Sequence, residues 1–97
     1  MDNVIRYNVF YSNAGADIVF RNGDNNIAYS NIFVNGSGGI RIKEANNILC
    51  FNNYFDGSIN DKKDNAVTFD YISPNCKNIY FIHNTFVNSS IDLEQLV

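Results

Sequence analysis

Asn47-Ile48-Leu49-Cys50-Phe51-Asn52-Asn53-Tyr54-Phe55 is the stretch whose reading decides the fold. It places an amide, a short run of strand formers, a second amide and then a phenylalanine. The same order recurs at Asn3-Val4-Ile5-Arg6-Tyr7-Asn8-Val9-Phe10, at Asn26-Ile27-Ala28-Tyr29-Ser30-Asn31-Ile32-Phe33 and at Asn78-Ile79-Tyr80-Phe81-Ile82-His83-Asn84-Thr85-Phe86. The second Asn and the Phe keep one register in all four copies, which are spaced 22 to 31 residues apart. A repeat of that length with strand composition is the signature of a solenoid.

One such repeat cannot bury an apolar face alone. Stacking equivalent strands about 4.8 Å apart pairs the backbone groups of each copy with the next. Like side chains then fall into columns. Asn8, Asn31, Asn53 and Asn84 are expected to form an amide ladder, each side chain donating to the next and bonding the turn backbone. Phe10, Phe33, Phe55 and Phe86 are expected to stack inside. Both columns are satisfied only in register, so they specify it. The first Asn leaves one ambiguity: it stands five residues before the ladder Asn in copies one and two, and six in copies three and four.

The composition agrees. Ile, Val, Phe and Tyr dominate the apolar residues, Leu occurs three times and Trp never. These are β formers. Eighteen Asn residues in 97 oppose helices, because the short amide competes with the backbone and tolerates the left-handed region. Ninety-seven residues make one domain, 1–97. The net charge of −3, without a basic block, excludes the electrostatic footprint of nucleic-acid binding. No apolar run reaches membrane-spanning length. The Met1-Asp2-Asn3-Val4 opening is not a signal peptide. Cys50 falls in an apolar strand column and reads as a core filler, and nothing in the pattern demands a bridge to Cys76.

Each repeat is expected to hold two short strands. The second alternates inward residues, Ile18 and Phe20, Ile40 and Ile42, Val67 and Phe69, Ile91 and Leu93, with outward Val19, Arg41, Thr68 and Asp92. The four Phe residues begin a third short strand or the corner leading to it. Clusters of Gly and Asn between strands mark corners, since both residues supply positive φ at low cost. Copy three carries a polar insertion over residues 56–65 that should bulge from one side. Insertions in solenoids gather on one face, often the binding face.

The repeat Asn-φ-x-φ-x-x-Asn-x-Phe (φ here an apolar residue), followed by a Gly/Asn turn and a second strand, resembles the right-handed parallel β-helix repeat of the pectin-lyase-like superfamily. The resemblance covers residues 3–93 and is carried best by Asn47–Phe55 and Asn78–Phe86. It implies an all-β, right-handed parallel β-helix of about four coils, and an exported parent protein that handles polysaccharide outside the cell, at its surface or in the periplasm. Family enzymes carry more coils and a capping helix, and no amphipathic helix is legible here. A piece of a longer solenoid, or a chain that stacks end to end on copies of itself, is therefore expected.

Aligning the second strands puts Arg21, Lys43 and Asp70 in one column and Asn22, Glu44 and Tyr71 in the next, with Arg41 and Thr68 outward between them and Asp17 and Asp24 nearby. As a sugar-acid site, Arg41, Arg21 or Lys43 would pair with uronate carboxylates, and Lys43, Glu44 and Asp70 would carry the chemistry. Glycosidase chemistry needs two carboxylates about 5–5.5 Å or 6.5–9.5 Å apart, and Glu44 and Asp70 on neighbouring coils are the candidates. The plainer reading of the same column is a solvated sheet face whose charge pairs contribute tenths of a kcal/mol. Tyr54 and Tyr80 point outward by alternation and could stack on sugar rings. Asp56, Asp61 and Asp64 offer calcium oxygens at a spacing that fits no known loop pattern, so no cofactor is expected. His83 reads as a structural or exposed corner residue. Asn35-Gly36-Ser37 and Asn88-Ser89-Ser90 match the glycosylation pattern, as chance allows in so Asn-rich a chain.

Overall fold

The computed structural model describes residues 2–13, 15–35, 38–57, 65–70 and 77–92. Leu93, Tyr71, Cys76 and the insertion's Asp61 and Asp64 lie outside them. The described residues form twelve strands and no helix: β1 (Val4–Arg6), β2 (Val9–Tyr11), β3 (Ala16–Arg21), β4 (Asp24–Tyr29), β5 (Ile32–Val34), β6 (Gly38–Lys43), β7 (Asn46–Phe51), β8 (Tyr54–Asp56), β9 (Asn65–Asp70), β10 (Ile79–Ile82), β11 (Thr85–Val87) and β12 (Ser90–Asp92). No helix among the described residues is long and apolar enough to cross a membrane.

Every strand pairing is parallel. Sheet A has the order β1-β4-β7-β10, sheet B β2-β5-β8-β11 and sheet C β3-β6-β9-β12. The chain thus visits the three sheets in turn, and each sheet takes one strand from each copy of the repeat. This is compatible with a parallel β-solenoid. Each repeat holds three strands: the two expected, and a third short strand, one of the two alternatives for the Phe of each copy. The Phe of each copy sits mid-strand in sheet B, because Phe10, Phe33, Phe55 and Phe86 pair in register. Strands also take in residues expected in the corner clusters 12–16, 35–39 and 56–65: Ala16 pairs with Gly38 and Gly38 with Asn65, so parallel pairing overrides weak local propensity.

The amide ladder forms. Asn8 Nδ2 donates to Asn31 Oδ1 at 3.2 Å, Asn31 Nδ2 to Asn53 Oδ1 at 3.1 Å, and Asn53 Nδ2 to Asn84 Oδ1 at 3.1 Å. The backbone N–H of Asn8, Asn31 and Asn53 donates to the same oxygens. Asn31, Asn53 and Asn84 also donate to the carbonyls of Ile5, Ala28 and Cys50. Buried amides are tolerated because they are satisfied in this way. Beside them the phenylalanine rings stack at centroid spacings of 5.0, 4.6 and 5.0 Å, with interplanar angles of 11° or less. Gly39 lies against this stack: a Cβ there would stand 2.7 Å from the Ala66 carbonyl oxygen and 2.8 Å from the Phe55 ring.

The core lies between the inner faces of the three sheets. It includes Ile18 and Phe20, Ile40 and Ile42, and Val67 and Phe69 at the expected inward positions, with Ile91 packed half-buried against it. Cys50 is fully buried, and burial pushes its thiol up to about 12.

The corners stack as well. Tyr7, Ser30, Asn52 and His83, each immediately before a ladder Asn, all have φ between 53° and 58°. Among the described residues, seven of the thirteen non-glycine residues with positive φ are Asn, which gives the abundance of this residue a backbone cause. Asp2, Asn25, Asn47 and Asn78 form another such file, at φ 48°, 62°, 57° and 59°. They resolve the ambiguity of the first Asn. No strand residue is missing from the early copies. The structural equivalent of Asn47 is Asn25 rather than Asn26, and Asn26 turns inward opposite Ile48.

Candidate functional site

Arg21 and Arg41 are charged side chains exposed on β3 and β6 of sheet C, and Lys43 ends β6 beside them. Arg21 pairs with Lys43 and Lys43 with Asp70, while Val19 pairs with Arg41 and Arg41 with Thr68. The column read from the sequence therefore exists, at the ends of β3, β6 and β9. Glu44 follows at an exposed corner with φ 51°. Arg21 and Arg41 are exposed and Lys43 is half-buried. Asp17 is half-buried on β3. Burial holds its carboxyl above the ordinary value, and the hydrogen bond it accepts from Asn13 at 2.7 Å works against that rise.

Tyr54 and Tyr80 point outward, but on other sheets. Tyr54 is on β8 in sheet B, where its hydroxyl donates to Asp56 at 3.3 Å. Partial desolvation, followed by the Asp56 charge, raises its pKa. Tyr80 is on β10 in sheet A and is 52% exposed. The structure thus gathers Arg21, Arg41, Lys43, Glu44 and Asp70 along sheet C, and puts the two tyrosines on two different faces.

Sheet A presents a surface that sequence reasoning passed over. Its outward columns are Val4-Ile27-Leu49-Tyr80 and Arg6-Tyr29-Phe51-Ile82. Seven of these eight side chains are apolar or aromatic. Tyr29 and Phe51 stack at 4.8 Å, and Arg6 donates to the Tyr29 hydroxyl at 2.8 Å. The signal was present in the first-strand runs Ile48-Leu49-Cys50-Phe51 and Ile79-Tyr80-Phe81-Ile82, which are apolar at every position. A half-buried strand would alternate.

A groove of about 440 Å³ runs along this face. One wall is the exposed file Asn25, Asn47, Asn78; the other is Ile27, Leu49 and Tyr80. Asn78 Nδ2 donates to Asn47 Oδ1 at 2.8 Å, and Asn47 Nδ2 to Asn25 Oδ1 at 3.0 Å. Each amide nitrogen carries two hydrogens, so Asn47 and Asn78 each keep one for a ligand. The arrangement is a strip of regularly spaced polar donors beside an apolar shelf. It suits an extended ligand with hydroxyl edges and C–H faces.

Among the described residues no three His, Cys, Asp or Glu side chains gather as a group that could hold a metal ion. His83 is exposed at its corner, and Cys50 is a free thiol far from it in character, sealed in the core. Asn88 is exposed, whereas the side-chain oxygen of Asn35 is buried without a hydrogen-bond partner. Comparison with protein-family models, with curated proteins and with solved structures finds no match to this chain.

Proposed function

We propose that the chain is a right-handed parallel β-helix module of about four coils, from an exported protein, which binds polysaccharide along its outer surface without a complete active site of its own. The parallel, cyclic order of the three sheets supports the helix, and the general right-handedness of parallel crossovers supports the hand. The observation that carries the binding reading is the sheet A groove, where the Asn25-Asn47-Asn78 file faces Ile27, Leu49 and Tyr80. Sugar rings offer C–H faces to such a shelf and hydroxyls to such amides.

The test is titration of the protein with a panel of neutral and acidic oligosaccharides, followed by Tyr80→Ala on any ligand found. Loss of about 1.4 kcal/mol, tenfold in Kd, is the expected result. Silence across the panel would remove the binding reading and leave a purely structural or adhesive coil.

A second reading is favoured by one observation, the register that aligns Arg21, Lys43 and Asp70. There the chain is a lyase or hydrolase of acidic glycans. Arg21 and Arg41 hold carboxylates, and Lys43, Glu44 and Asp70 act on the sugar. Lys43→Ala and Asp70→Ala abolish turnover in that case; unchanged turnover excludes these residues.

A further inference from the structure

The amide ladder has a direction. Each side chain from Asn8 to Asn53 donates to the next copy's oxygen, and no bond runs the other way. At the β1 end, Asn8 Oδ1 accepts no hydrogen bond from any described residue. At the β10 end, the Asn84 side chain donates to the Cys50 carbonyl, and among the described residues its backbone N–H and second Nδ2 hydrogen have no acceptor. In every interior copy these are the groups that bond each other, at 2.9–3.2 Å. One end of the molecule thus offers the acceptor that the other end's donors lack.

The remaining columns end in the same complementary way. Phe10 and Phe86 terminate the ring stack, each half-buried with one face uncovered by a further ring. Ile5 and Phe81 end the inward column that contains Ala28 and Cys50. A cleft of about 360 Å³ at the β1 end, lined in part by Asn3, Ile5, Val19, Phe20 and Arg21, leaves room beside that column. The strands β1, β2 and β3 form one set of sheet edges and β10, β11 and β12 the other. Parallel pairing can extend across both. The charges agree too: Asp2 heads the corner file at one end, and Lys77 stands one register position from Asn78, the last member of that file, at the other.

We propose that the β10–β12 end receives the β1–β3 end of a second copy of this chain, head to tail. Asn84 donates to Asn8 of the next molecule, Phe86 stacks on its Phe10, and Lys77 approaches its Asp2. Such a contact joins two different surfaces, so repetition gives a linear stack along the ladder axis rather than a closed pair. This inference is independent of glycan binding.

Sedimentation velocity on the 97-residue chain at rising concentration is the first measurement. A series of species whose mass grows with concentration is expected; a monomer at every concentration would overturn the proposal. Two variants then test direction. Asn8→Lys replaces the acceptor with a cation at the β1 end, and Asn84→Asp removes the side-chain donor at the β10 end. Strand-rich circular dichroism and cooperative melting establish that each folds. Each variant alone is expected to sediment as a monomer, and an equimolar mixture as a dimer that grows no further. Variants that still stack alone, or folded variants whose mixture stays monomeric, would overturn it.

Discussion

Two files of asparagine run alongside one another, and the contrast between them lies in their access to water. The inner file, Asn8-Asn31-Asn53-Asn84, bonds side chain to side chain and side chain to backbone, and its central members are 1–2% exposed. The outer file, Asn25-Asn47-Asn78, makes the same side-chain bonds at similar lengths but is exposed throughout. Its bonds also run in the opposite direction along the stack. A hydrogen bond between buried amides cannot be exchanged for one to water, so losing a partner leaves a desolvated group unsatisfied. In the outer file water replaces the partner. The same residue is therefore structural in one file and available to a ligand in the other.

The comparison breaks most visibly at Asn53→Ala. That change strips the Asn31 backbone N–H, the Asn31 side chain and the Ala28 carbonyl of partners at once. At about 1–1.5 kcal/mol per orphaned group, the low end of the cost of an unsatisfied buried amide, the loss in a urea melt should reach about 3–5 kcal/mol. A loss under about 1 kcal/mol would show that the ladder is decoration. Gly39→Ala tests the neighbouring ring stack. Its Cβ must push on the Ala66 carbonyl and the Phe55 ring, and overpacking of this kind costs about 1–3 kcal/mol, read in the same melt.

Cys50 sharpens the contrast through pH. Its folded-state pKa is about 12 against an ordinary 9.0, with burial as the main cause. Below about pH 9 the thiol is protonated in both states, so its contribution is intact. As pH rises from 9.0 towards about 12, the unfolded chain releases a proton that the folded chain keeps, and stability falls. Wild type should lose stability relative to Cys50→Ala across that window, in melts taken at stepped pH. Parallel curves would mean that the thiol is reached by water. The smallest effect belongs to the outer file. Asn47→Gly removes an exposed amide while keeping the backbone at ease at φ 57°, and should alter stability by no more than about 0.5 kcal/mol. A larger loss would make the two files equivalent.

Some of this was legible in the residues and some was not. The ladder Asn and the Phe could be read because each recurs at one fixed offset, and a column of identical side chains has only one register. The charged column on sheet C followed from the same alignment, since Arg21, Lys43 and Asp70 end equivalent strands. The outer Asn file was missed because Asn25 and Asn26 are adjacent, and either fits the motif. The positive φ of Asn25 and the burial of Asn26 tell them apart, and neither is written in the motif. The apolar outer face of sheet A was missed because a strand apolar at every position names no outside. Tyr54 and Tyr80 were placed outward by alternation, but alternation distinguishes in from out and does not say which of three faces is meant. The Asn13–Asp17 hydrogen bond had no sequence signal at all, because it joins a corner to a strand through side-chain geometry.

The cyclic order of the sheets also governs how such a chain can acquire its shape. Among the described residues no strand pairs with the one that follows it; β1 waits for β4, β2 for β5 and β3 for β6. The nearest ladder partners are 22 residues apart and the farthest 31. No hairpin of the described strands can therefore seed the process, and pairing any two of them must close a long excursion of chain with little to hold it. Once two successive windings have met, each later one adds against a ready template, with a contact set like the last. Assembly is then slow to begin and quick to spread, as in the growth of a crystal, and the lag rather than the speed of spreading would set how long the unassembled polypeptide stays exposed.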